Sequence, residues 1–232
     1  MKKGTFTCVG VGPGDPKLMT FLAAETIRNC DVAALPSSGA KENAAEKIAA
    51  EFLQGKKLLY CDMPMIRDKA KLEEAHQASA QQIREELDQG RDVAFLTLGD
   101  PSIYATPMYL HHILRDQGYE TRMIPGVPSF CAAAAALDVS LCEGGEILQI
   151  IPASYPDARE ALNAPGNKVL MKSGRSMGKV KKQIDTDRFD AMAVECCGME
   201  QEKIHRSLDS LDETSSYFSV VVVKERASSA EN

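Results

Sequence analysis

The chain has 232 residues, 44% of them hydrophobic, which suits one large domain or two small ones with a packed core and excludes a chain disordered by composition. A formal net charge of −6 argues against nucleic acid as the main partner, and no apolar run approaches a membrane span. The first residues, MKKGTFTCVGVGPGD, pass from two lysines straight into a strand-like run without a signal-peptide core, so the expected location is cytoplasmic. Seven cysteines without a CxxC pair, two of them the adjacent Cys196 and Cys197, read as reduced and mostly buried thiols; no protein-bound metal is expected.

Through Leu137 the pattern alternates strand and helix. Thr5–Val11 is β-rich, and Leu18–Asn29 has helical spacing with Leu18, Leu22 and Ile27 on its apolar side. Strands at Asp31–Leu35 and Lys57–Tyr60 flank a helix at Asn43–Leu53. Lys69–Gln89 reads as the longest helix, with Gly90 where a C-terminal cap belongs. Asp92–Leu98 is nearly unbroken apolar, as in a strand covered on both faces. A helix at Met108–Gln117, a strand at Tyr119–Ile124 and an alanine-rich helix at Phe130–Leu137 complete a parallel α/β layer, whose ligands are expected at the C-terminal strand ends. A glycine-marked break at Leu141–Glu146 then opens a second, smaller α/β domain, giving boundaries of 1–142 and 143–232. Its elements are strands at Ile147–Ile151, Lys168–Met171, Ala191–Cys196 and Tyr217–Lys224, with helices near Asp157–Leu162 and Ser176–Asp185.

Two loops carry a Gly-Asp-Pro triplet: GVGPGDPKLMT after the first strand and LGDPSIYAT after the fourth. The first is not a P-loop, because Asp15-Pro16-Lys17 stands where a lysine followed by Ser or Thr must meet phosphates. Nor is it a dinucleotide fingerprint in the usual form, because Asp15 replaces the third glycine and the next strand ends without a ribose-binding acid. Prolines fix φ and remove N–H donors, so these loops present carbonyls, with carboxylates at Asp15 and Asp100. That chemistry suits a cationic ligand such as a sulfonium better than a polyphosphate.

These two loops, followed in order by IPGVPSF at residues 124–130, resemble the tetrapyrrole (corrin/porphyrin) methylases over essentially the whole chain. The MPMIRD, LMKSGR and SYFSVVVV stretches are most similar to the branch that methylates C-20 of precorrin-2 or cobalt-factor II in vitamin B12 synthesis. The resemblance implies two α/β domains with S-adenosylmethionine in the cleft between them, a homodimer, a tetrapyrrole substrate, and S-adenosylhomocysteine as product. Neither nucleic acid nor a membrane is implied as a partner. Carried over residue by residue, it implies cofactor contacts at Pro13, Leu98, Gly99, Asp100, Ile103, Tyr104, Ala105, Thr106, Pro128, Ser129 and Phe130. From the second domain it implies contacts at Met171, Cys197, Tyr217, Phe218 and Ser219.

Asp100 and Tyr217 are the candidates for polar groups at the reacting centre, with helix capping and strand-start packing as their plain structural roles. An acidic enzyme with a polycarboxylate substrate must gather cations locally, and Arg67, Lys172 and Arg175 are the candidates, with Lys69 and one of His111 or His112 nearby in sequence. Adjacent histidines lie about 100° apart on a helix, so His111 and His112 cannot serve one metal. The rival readings are action at another ring position and a non-catalytic tetrapyrrole-binding module.

Overall fold

The computed structural model describes residues 2–37, 43–66, 68–154, 158–212 and 215–226, and the chain divides into two units, Met1–Pro128 and Ser129–Asn232. In the first unit, β1 (Phe6–Gly10), β2 (Val32–Ser37), β3 (Lys57–Asp62), β4 (Val93–Thr97) and β5 (Thr121–Ile124) form one sheet in the order β3-β2-β4-β1-β5. Every pair is parallel. The connecting helices are α1 (Phe21–Asn29), α2 (Ala44–Ala49), α3 (Lys69–Asp88) and α4 (Pro107–Asp116).

Period-two alternation sorts the strand residues between two cores. Phe6, Cys8, Val32, Ala34, Val93 and Phe95 pack with Ile83 and Leu87 of α3 and Leu110 and Leu114 of α4. Val9, Ala33, Leu35, Ala94 and Leu96 pack with Ala23 and Ile27 of α1 and Ile48 of α2. Covering on both faces explains why the β4 sequence VAFLT carries no polar alternation. It also fixes the route of the chain. The segment leaving β1 runs over one face to β2, while that leaving the adjacent β4 runs over the other face to β5. Neighbouring strands whose connections part in this way define a switch point, where open α/β sheets bind ligands.

Helix starts follow local capping. Thr20 Oγ1 accepts the Ala23 N–H at 3.1 Å, so α1 begins at Phe21 and not at Leu18. Leu18 instead closes a separate 3-10 turn, Pro16–Leu18, capped by Asp15. Asp68 caps α3, and Gly90 follows it at φ 79°. No described helix is long and apolar enough to cross a membrane.

The two adjacent histidines part as their spacing requires: His112 is exposed and His111 is buried. His111 Nε2 lies 3.4 Å from Thr121 Oγ1, and Nδ1 has no hydrogen-bond partner among the described residues. Burial first, then the charges of His112 and Arg115, hold His111 below its ordinary 6.5. A histidine depressed by folding binds fewer protons folded than unfolded, so its contribution is lost as pH falls through 6.5 toward the folded value. His111→Leu should therefore lose less stability than the unsubstituted chain between about pH 7.5 and about pH 5.5, read from urea midpoints. Equal losses would contradict this role.

In the second unit, β6 (Leu148–Pro152), β7 (Asn167–Met171), β8 (Phe189–Glu195), β9 (Lys203–His205) and β10 (Ser219–Glu225) are ordered β6-β7-β10-β8-β9. Only β6 and β7 pair in parallel; the remaining pairs are antiparallel. Val221 and Val223 of β10 share a core with Met177 and Val180 of α7 (Met177–Gln183) and Leu162 of α6 (Ala158–Asn163). The opposite face of β8 and β10 is covered by α5 (Ser129–Leu137). The alanine-rich helix, grouped with the N-terminal domain in the sequence reading, thus belongs to the second unit. Its buried Ala132, Ala133 and Ala134 allow close approach to that sheet. Strand β9 is only three residues long and has no alternation to mark it.

Candidate functional site

Three loops of the first unit leave the C-terminal ends of β4, β1 and β5, which are neighbours in the sheet. Their backbones touch. Gly12 N–H donates to the Gly99 carbonyl at 3.3 Å, and Gly99 N–H returns a bond to the Gly12 carbonyl at 2.7 Å. A Cβ on Gly10 would sit 2.6 Å from the Gly99 oxygen and 2.7 Å from Gly126 N. A Cβ on Gly126 would overlap that same oxygen and lie 2.8 Å from the Gly10 carbonyl carbon. Glycine is required here by close approach, and at Gly12 and Gly99 also by φ of 83° and 72°.

The two Gly-Asp-Pro triplets share one local device. Asp15 Oδ1 accepts the Lys17 N–H at 2.9 Å, and Asp100 Oδ1 accepts the Ser102 N–H at 2.8 Å. Each is an Asx turn, with proline supplying the fixed φ between acceptor and donor. Asp100 does more: its Oδ2 accepts the Gly126 N–H at 2.9 Å and so ties the loop after β4 to the loop after β5. Residues 101–104 form a turn and α4 begins only at Pro107, with Thr106 at its N-cap, so Asp100 does not cap a helix as the sequence suggested. Pro13 is buried, Leu98 and Ile103 are half-buried, and Tyr104 is exposed at φ 49°. Ala105, Thr106 and Pro128 are half-buried; Ser129 opens α5 with Phe130 buried behind it.

In the second unit, the candidate residues gather at one end of the sheet. Register pairs Ser219 with Glu195 and Val221 with Leu170, which places Met171–Gly174, Glu195–Cys197 and Ser215–Ser219 together. Phe218 carbonyl accepts the Cys196 N–H at 2.9 Å, and Ser173 Oγ donates to the Ser219 carbonyl at 3.4 Å. Tyr217 and Phe218 precede β10 and pack edge to face, with centroids 5.4 Å apart. Burial pushes the Tyr217 phenol above its ordinary 10. It also pushes the Lys172 ammonium down. Burial first, then the Glu202 carboxylate, push the Cys197 thiol up to about 12, which leaves it protonated. Ser215 Oγ is buried with no hydrogen-bond partner among the described residues.

Backbone strain marks these segments. Four described non-glycine residues have positive φ, and three of them are Tyr104 (49°), Lys172 (58°) and Cys196 (50°). Such conformations cost energy and gather where function holds them. Arg67 lies outside the described residues; Arg175 lies in the 3-10 turn Gly174–Ser176, with its side chain undescribed, and Lys69 is exposed at the start of α3. The sequence reading did not single out Gly126, Ser215 or Glu195. Gly126 sits within the quoted IPG motif, whereas Glu195 carries no local signal.

Two α/β units, with glycine-packed Gly-Asp-Pro loops at the switch point of a parallel sheet, place the chain among the α/β proteins whose open parallel sheets bind ligands at that point. The family model of the tetrapyrrole (corrin/porphyrin) methylases matches residues 5–212, and the chain belongs to that family. It is 31% identical over 220 residues to the "Probable cobalt-precorrin-2 C(20)-methyltransferase" of Methanocaldococcus jannaschii, covering 93% of this chain and 94% of that one. It is 28% identical to the cobalt-precorrin-2 C(20)-methyltransferase of Salmonella typhimurium, covering 98% of this chain and 99% of that one. Among solved structures, the uroporphyrin-III C-methyl transferase of Thermus thermophilus, complexed with S-adenyl homocysteine, shares the fold. The TM-score is 0.73 at 21% identity, over 95% of this chain and 97% of that one.

Proposed function

We propose that this protein transfers a methyl group from S-adenosylmethionine to the C-20 meso carbon of precorrin-2 or cobalt-factor II in cobalamin biosynthesis, in the cytoplasm and as a homodimer. The observation that carries the proposal is the joining of three family-motif loops at the switch point by Asp100 and by glycine contacts. Likeness to C(20) enzymes along nearly the whole chain supports the ring position.

The loops after β4, β1 and β5 fit the cofactor: they present carbonyl-rich, proline-fixed turns rather than cationic phosphate cradles. When bound, S-adenosylmethionine supplies a methyl group activated by the sulfonium. Methyl displacement needs approach and alignment, which are worth roughly 7–11 kcal/mol when reactants are held in line. In this reading Asp100 keeps residues 98–106 in place so that their backbone faces the cofactor, and its remaining lone pairs accept from the methionyl amine. Tyr217, with its phenol held protonated, donates a hydrogen bond to the macrocycle. Lys172, with its ammonium disfavoured by burial, gains from a substrate carboxylate beside it.

Calorimetry separates an enzyme from a tetrapyrrole carrier. The methyltransferase reading predicts that S-adenosylhomocysteine binds to the protein alone. A carrier binds tetrapyrrole and shows no affinity for S-adenosylhomocysteine.

A further inference from the structure

The segment 215–218 leads into β10 and carries Tyr217, and it is held by side chains to which methyl transfer assigns no task. Glu195, the last residue of β8, is buried at 9% exposure. Its Oε2 accepts the Ser216 N–H at 2.8 Å, and its Oε1 lies 3.0 Å from Nε2 of His205, the last residue of β9. His205 Nδ1 in turn lies 3.0 Å from the Ser210 carbonyl oxygen. Both ring nitrogens face acceptors, so both contacts are hydrogen bonds when the ring carries two protons. At the next residue, Cys196, the backbone turns to φ 50°, its N–H reaches the Phe218 carbonyl at 2.9 Å, and its Sγ lies 3.3 Å from Ser216 Oγ. Ser216 Oγ accepts the Phe218 N–H at 3.2 Å, and the Ser216 carbonyl accepts from Ser219 Oγ at 2.6 Å.

We propose that Glu195, buttressed by His205, is a positioning residue that clamps the 215–218 strap and thereby aims Tyr217 and the strap's polar groups at the ligand. What the strap serves rests on the methyl-transfer reading; the clamp itself does not. A strand end needs only backbone partners, whereas a buried carboxylate with an imidazole behind it is a poor way to gain net stability. What the pair gives is one conformation. Removing Glu195 takes from the Ser216 N–H its side-chain acceptor, and removing His205 leaves the buried Glu195 carboxylate without its imidazole buttress. Gly174 completes the seat, because a Cβ there would overlap the Ser216 carbonyl oxygen and lie 3.0 Å from that of Ser215.

The test combines amide hydrogen exchange with calorimetry using S-adenosylhomocysteine. In Glu195→Ala, exchange at Cys196 and Ser216 should quicken by about 10-fold or more, and affinity should fall by about 10-fold or more, as the loss of a charge-assisted bond implies. Exchange in the β8–β10 ladder at Ala193 and Val221 should stay as in the parent. Glu195→Gln retains an oxygen for Ser216 and should restore both readouts to within about threefold. Parent-like exchange and affinity in Glu195→Ala overturn the proposal, and so does uniform loosening of the whole sheet. If Glu195→Ala does not fold, His205→Ala decides: strap-specific loosening supports the clamp, and an unchanged strap overturns it. Failure of the parent protein to bind S-adenosylhomocysteine would refute the methyl-transfer reading, while the exchange data would still decide the clamp.

Discussion

Asp100→Ala is expected to abolish most methyl transfer while leaving the protein folded. The substitution removes the acceptor of the Ser102 N–H and the bond to Gly126 N–H, and with them the tie between the loops after β4 and β5. A hydrogen bond to a charged group contributes about 1.5–3 kcal/mol, and part of that is recovered by water at a half-exposed carboxylate. Stability should therefore fall only modestly. Geometry should suffer more, because a displacement of about 1 Å at reacting atoms costs about 100-fold. The expectation is a fall of about 100-fold in kcat/KM with S-adenosylhomocysteine affinity weakened by about 10-fold. Asp100→Asn separates the two bonds: its amide oxygen keeps the Ser102 turn, but its NH₂ cannot accept from Gly126. It should fall between the parent and Asp100→Ala. Turnover unchanged in Asp100→Ala would remove Asp100 from the site.

Gly126→Ala should be more damaging still. The added methyl meets backbone, the Gly99 oxygen and Gly10, and not the movable end of a side chain, so one of the three loops must shift. Overpacking of this kind costs about 1–3 kcal/mol in stability. The shift falls where the family motifs converge, and activity should drop by at least about 100-fold even in the folded fraction. Gly145→Ala is the control, since nothing lies within 4 Å of the new atom. Thermal unfolding and turnover of the two variants check the contrast. A Gly126→Ala enzyme as active as Gly145→Ala would show that the loop contact does not matter for catalysis.

The first unit was legible because its signals are local. Unbroken apolar runs such as VAFLT mark doubly covered strands, Gly90 marks the end of α3, and the Gly-Asp-Pro loops stand directly after their strands. What escaped depends on partners far along the chain. Thr20 restarts α1 after Asp15 has drawn Leu18 into its own turn, and the pattern of Leu18, Leu22 and Ile27 does not register that break. The alanine run of α5 declares a helix but not which sheet it will cover. Glu195 reads as a surface acid at a strand end. Only the register of β8 against β9 and β10 brings it to His205 and Ser216. Likewise, the double engagement of Asp100 follows from β5 lying beside β1, a pairing that residues 98–106 do not encode.

The most direct measurement is to incubate the protein with methyl-labelled S-adenosylmethionine and either precorrin-2 or cobalt-factor II, and then to locate the label in the product by NMR. The account predicts one labelled methyl at C-20 of one of these substrates, with S-adenosylhomocysteine released in equal amount. Label at another ring carbon, or no transfer to either tetrapyrrole despite bound S-adenosylhomocysteine, would contradict it.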